Sequence, residues 1–168
     1  SMAWRRVSDA VLPPAFDHGF AAKPAGLATF KPDPGTWQSI YRACGADMPE
    51  LTVTATTSGE AKAPYFNAGV VATRANTGFG RTWADCAAVI DSLPDVPAKR
   101  PHLDQIALPV AVANSGLDTS FLDEDWNFPA HLRPLPQALP KLCHYHWPKV
   151  IEREPALLDA VRNLVSDA

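Results

Sequence analysis

Three short stretches carry side chains suited to holding a polyhydroxylated ligand. Asn67-Ala68-Gly69 follows Phe66 and precedes Val70-Val71, joining one amide to two of the smallest residues. An amide donates and accepts at once, which suits neutral hydroxyl groups, and small neighbours let a ligand approach the backbone. The same stretch also reads as an ordinary core strand entered from the Pro64 turn, because β-branched Val70-Val71 favour a pleated surface. Asp104-Gln105 sets a carboxylate beside an amide, although a helix dipole alone favours an acid in a first turn. Trp126-Asn127 puts an aromatic face next to an amide, a pairing that sugar recognition uses.

Other stretches spell metal or acid–base chemistry. His144 and His146 alternate in strand fashion and share a face, which suits either a metal pair or a hydrogen-bonded structural pair. Asp123-Glu124-Asp125 imitates a carboxylate pair for a divalent cation, as any acidic turn does. Asp17-His18 reads as a solvated turn and Lys99-Arg100 as a surface pair, with a catalytic pair and a phosphate contact as the alternatives.

These residues need a scaffold, and the composition allows one. The 168 residues are 46% hydrophobic and 20% charged, enough for a single folded domain over 1–168 with a real core. A net charge of −3 lacks the basic signature of a nucleic-acid binder, so no nucleic-acid partner is expected. The 17 prolines imply loop-rich connections. Cys44, Cys86 and Cys143 are odd in number and lack metal-type spacing, which fits reduced thiols and a cytoplasmic setting. No apolar run reaches the length of a membrane span, and the N-terminus lacks a signal-peptide core.

Along the chain, a short helix is expected over Ala3–Leu12, ended by Pro13-Pro14. Residues 1–32 form an irregular N-terminal segment, Phe16 to Phe30 being broken by Gly19, Pro24 and Gly26, and 33–168 form the core. A clear helix follows: Asp33 caps it, Pro34 sits in its first turn, Gly45 closes it, and Trp37, Ile40, Tyr41 and Cys44 share a face. Leu51–Thr56 reads as a strand. Thr82–Leu93 reads as a helix with Trp83, Cys86, Ala87 and Ile90 inward. Another helix starts near His102, with Leu103, Ile106, Ala107 and Val110 on its apolar side and Pro109 as a kink. Pro129–Pro140 has no period. The last helix starts at Glu154-Pro155. The expected fold is α/β, a small mixed β-sheet from strands near 51, 66, 120 and 143, flanked by helices near 34, 82, 103 and 155.

Four stretches in order carry a family resemblance: Phe66-Asn67-Ala68-Gly69-Val70, Asp104-Gln105, Leu122 through Trp126-Asn127, and His144-Tyr145 followed by Lys149. The pattern resembles the C-terminal half of GT-A type nucleotide-diphosphate-sugar glycosyltransferases, above all glycosyltransferase family 8 with its galactosyltransferases and glycogenins. The resemblance implies that Phe66, Asn67, Ala68 and Gly69 line a donor-sugar pocket and that Asp104 hydrogen-bonds sugar hydroxyls. It implies that Gln105 lies beneath the anomeric carbon, where retaining members stabilise developing positive charge. Trp126 and Asn127 would shape the acceptor side, Lys149 would approach the diphosphate, and His144 would be a late ligand to Mn²⁺ or Mg²⁺.

Two departures stand beside the matches. Trp147 occupies the place where the family has a glycine for backbone access to phosphate. The N-terminal segment shows neither alternating strands and helices nor an Asp-x-Asp motif. The expected function is therefore the sugar- and acceptor-binding half of a hexosyltransferase, weakly active or inactive until a nucleotide-binding half completes it. The alternative is a non-catalytic glycan- or protein-binding module derived from such an enzyme. Small-hydrolase chemistry is disfavoured because no Ser or Cys sits in a nucleophile elbow. An open sheet edge left by a missing half makes a homodimer the expected assembly.

Overall fold

The computed structural model describes residues 19–27 and 29–166, so the expected helix at Ala3–Leu12 and the Asp17-His18 pair lie outside the described residues. The chain divides into two units, Ser1–Leu122 and Asp123–Ala168. In chain order the first contains β1 (Gly19–Pro24), α1 (Pro34–Ala43), β2 (Val53–Thr54), β3 (Ala61–Lys62), β4 (Phe66–Thr73), α2 (Phe79–Ser92), α3 (Leu103–Ser115) and β5 (Asp118–Phe121).

β1 is the middle strand of a mixed sheet, antiparallel to β4 on one side and parallel to β5 on the other. This corrects the irregular reading of Phe16–Phe30. Gly-Phe-Ala-Ala-Lys-Pro has weak intrinsic strand preference, but pairing on both sides specifies it, and Ala21 and Ala22 are fully buried between neighbours. The strand near 51 does not join this sheet: Val53-Thr54 pairs with Ala61-Lys62 in a separate ribbon. The fold is α/β, with small sheets flanked by helices.

Local signals account for α1. The Asp33 carboxylate accepts the Thr36 N–H at 3.0 Å, Pro34 occupies the first turn, and Gly45 adopts φ +75° just past the helix. Trp37, Ile40 and Tyr41 are its buried stripe. α2 begins at Phe79 rather than Thr82, because Gly78 at φ +71° turns the chain early and drives Phe79 into the core. Lys99 and Arg100 close the other end of α2. The Lys99 ammonium donates to the carbonyls of Ile90 at 3.2 Å and Asp91 at 2.6 Å, while Arg100 pairs with the Asp91 carboxylate. The pair is thus spent on helix capping, where cations are favoured. α2 and α3 pack together and α3 lies against β4, enclosing Phe20, Phe66, Phe79, Ile106 and Val110.

The second unit opens with a 3₁₀ turn at Glu124–Trp126, then β6 (Phe128–Pro129), β7 (Cys143–His144), α4 (Pro148–Arg153) and α5 (Pro155–Ser166). β6 and β7 run parallel, with Phe128 opposite Cys143 and Pro129 opposite His144, so the strand near 143 pairs within this unit. α4 was not expected; Pro148 starts it after an extended Trp147. No helix among the described residues is long and apolar enough to cross a membrane.

Candidate functional site

The Asn67 stretch leaves the regular ladder. Ala22 pairs with Val71 and Pro24 with Phe66, so Asn67, Ala68, Gly69 and Val70 face the single residue Lys23. A bulge bends its strand and re-aims side chains that the ladder would otherwise hold. Here Asn67 shapes the excursion, its Oδ1 accepting the Gly69 N–H at 2.8 Å in an Asx turn. Asn67 and Ala68 are half-buried and Gly69 is exposed. Phe66, one residue earlier, is 1% exposed and its ring packs on Phe20, so its surface is spent on the core.

The first turn of α3 borders a cleft of about 420 Å³ lined by Gly80, Trp83, Ala84, Ala87, Leu103 and Asp104, with Pro101 at its rim. Asp104 is the one sequence-predicted residue on its wall. The Asp104 carboxylate accepts the Gln105 N–H at 2.8 Å, and its backbone carbonyl accepts the Trp83 indole N–H at 2.9 Å. An apolar wall carrying an indole and one carboxylate has the general make-up of a small-molecule site. Gln105 follows on the same helix, half-buried. Trp83 is the residue that periodicity conceals, since its helical spacing matches a core stripe.

A second cleft, about 300 Å³, lies among Phe30, Lys31, Trp37, Glu60, Lys62 and Tyr65. Burial lowers the Lys62 ammonium to about 8, Glu60 opposing the shift and Lys31 adding to it. Burial raises the Tyr65 phenol to about 12, against the Thr29 hydrogen bond that favours its ionised form.

In the second unit, Trp126 is 5% exposed and Asn127 is fully buried. The Lys141 ammonium lies 4.5 Å from the Trp126 ring centroid, so that ring too is engaged. Asp123 accepts the Asp125 N–H at 3.0 Å, capping the 3₁₀ turn, and Glu124 pairs with Arg133. Two of the three acidic residues are therefore structural. Lys149 is exposed in the first turn of α4, and Trp147 is 68% exposed.

His144 has company that its strand spacing only half reveals. His146 Nε2 lies 2.8 Å from His144 Nε2, and the His131 ring stacks on His146 with centroids 4.0 Å apart. Among the described residues this is the one group of three or more His, Cys, Asp or Glu side chains arranged to hold a metal ion. Its donors are all imidazole nitrogens. Mg²⁺ demands oxygen ligands and Mn²⁺ prefers them, so this set does not fit the cation implied for His144.

A family model described as the Rhodobacterales glycosyltransferase domain matches residues 13–116. No curated protein and no solved structure matches the chain. The matched residues run from before β1 through α3, and they include the Asn67 bulge, Trp83, Asp104 and Gln105. The chain belongs to the Rhodobacterales glycosyltransferase domain family.

Proposed function

We propose that the chain is the sugar- and acceptor-binding half of a GT-A type hexosyltransferase, similar to glycosyltransferase family 8, that takes its sugar from a nucleotide-diphosphate donor. The observation that carries this reading is the cleft beside α3, where the Asp104 carboxylate and the Trp83 indole share one wall. A carboxylate accepts two sugar hydroxyls at once, and an indole face covers the apolar side of a hexose ring. Gln105, with an amide that stays neutral, stabilises developing positive charge at the anomeric carbon, and the Asn67-Ala68-Gly69 bulge supplies backbone groups to the sugar. Lys149 takes the diphosphate role within the second unit, whereas Asn127 is fully buried there and does not meet an acceptor. A nucleotide-binding half completes the enzyme, and the edges of the mixed sheet at β4 and β5 are where a second copy pairs.

A non-catalytic glycan-binding module is the second reading. It is favoured by the commitment of Asp123 and Glu124 to a cap and an ion pair, which removes that acidic run from metal chemistry.

Thermal stability of the full chain against a panel of nucleotide-diphosphate sugars and free hexoses tests both. One donor at a hundredfold over its dissociation constant adds about 2.7 kcal/mol and raises Tm, and Asp104→Asn abolishes the rise. A shift with a free glycan but with no nucleotide sugar selects the second reading. No shift with any sugar overturns both.

A further inference from the structure

We propose that His131, His144 and His146 form a three-histidine site for a borderline divalent transition metal, of which Zn²⁺ is the type, within the second unit. The site stands apart from the sugar-binding proposal, because all three residues lie beyond the stretch that the family model matches.

The backbone builds it. Parallel pairing of Pro129 with His144 brings the turn after β6 alongside β7. The His144 carbonyl then accepts two hydrogen bonds, from the Ala130 N–H at 3.0 Å and from the His131 ring at 3.2 Å. A carbonyl only accepts, so His131 carries its proton on Nδ1 and leaves Nε2 with a bare lone pair. A backbone carbonyl holding one ring nitrogen is the usual partner of a metal-ligating imidazole, since it fixes both tautomer and ring direction.

Around His144 the geometry is nearly that of a ligand set. One nitrogen from each ring lies within 4.8 Å of one from each of the others, and the His144–His146 nitrogens approach to 2.8 Å. Two neutral imidazoles meet at that distance only with a proton between them, because two lone pairs repel. A divalent cation replaces that proton and draws in the third ring. Three nitrogens at Zn–N bonds of about 2.0 Å sit roughly 3.3 Å apart, so closure asks for ring rotations that move each nitrogen by about 1 Å.

Access and purpose follow from the surroundings. His146 is exposed, and His131 borders a cleft of about 250 Å³ shared with Arg133, Arg153 and Glu154, so solvent reaches the cluster. Among the described residues of the second unit, the buried apolar side chains are chiefly Trp126, Phe128 and Ala130. Units this small commonly need a metal or a covalent link to hold their loops. A cation on these three rings ties the β6 turn to the segment after β7.

The test uses the full chain without an affinity tag, stripped with a chelator and titrated with Co²⁺, then with Zn²⁺. One equivalent of Co²⁺ per chain is expected to produce a visible ligand-field band, bleached by one equivalent of Zn²⁺ and untouched by excess Mg²⁺ or Mn²⁺. His131→Ala and His146→Ala should each weaken binding at least tenfold, and His102→Ala should leave it unchanged. His146 is exposed, so its variant folds and carries the test if His131→Ala does not. Absence of a stoichiometric band, displacement by Mg²⁺, or full binding by the His146→Ala chain would overturn the proposal.

Discussion

The Trp83 indole N–H donates to the Asp104 carbonyl at 2.9 Å, tying the wall of the cleft on α2 to the residue on α3 that supplies its carboxylate. The helix pair and the candidate site therefore share one hydrogen bond. Trp83→Phe keeps most of the ring but removes the donor. It is expected to cost about 0.5–1.5 kcal/mol, seen as a lower urea midpoint with an unchanged slope. A variant as stable as the parent would show that the bond does not hold α2 on α3.

The bulge in β4 depends on one side-chain acceptor. Asn67→Ala leaves the Gly69 N–H without its 2.8 Å partner and is expected to lose about 1 kcal/mol. Asn67→Asp keeps an acceptor at the same place and should lose less. Equal losses would mean that pairing with β1 alone shapes the excursion.

Lys62 makes stability depend on pH with a sign opposite to that of a paired lysine. Burial brings its ammonium from 10.5 to about 8, so between those values the unfolded chain holds a proton that the folded chain has released. Stability from this group is lowest below pH 8 and rises with pH across that window. Tyr65 works the other way at higher pH. Its phenol, raised from 10.0 to about 12, keeps its proton longer in the folded state, so its contribution falls as pH passes through that range. Lys62→Met is expected to remove the first rise. Urea midpoints of parent and variant at pH 8 and pH 10 should draw apart in the parent's favour as pH increases, and parallel midpoints would refute it.

Burial, with Cys86 close by, raises the Cys44 thiol from 9.0 to about 12. At pH 8 the thiolate fraction then falls by roughly a thousandfold, and the greater nucleophilicity of a high-pKa thiolate recovers part of that. Cys44 should react with a disulfide reagent about 10- to 100-fold more slowly in the folded chain than in denaturant, as peptide mapping after timed labelling would read. Equal rates would mean that Cys44 is open to solvent.

What the sequence determined by itself was local. Asp33, Pro34 and Gly45 delimit α1 because caps act within one turn of the residue that makes them, and the stripe of Trp37, Ile40 and Tyr41 follows from helical period. The α/β class and the strand at Phe66 were legible for the same reason. Tertiary structure alone decided β1, since an alanine-rich segment becomes a strand only when partners on both sides satisfy its backbone. It also decided that four residues of β4 oppose Lys23, a matter of register that no single strand encodes. Trp83 illustrates the limit from the other side: one spacing serves a buried stripe and a cleft wall alike, and the position of α3 determines which. His144 and His146 were visible as a same-face pair, but His131 was not. It stands 13 residues from His144 along the chain, and the parallel pairing of β6 with β7, a long-range contact, brings it alongside.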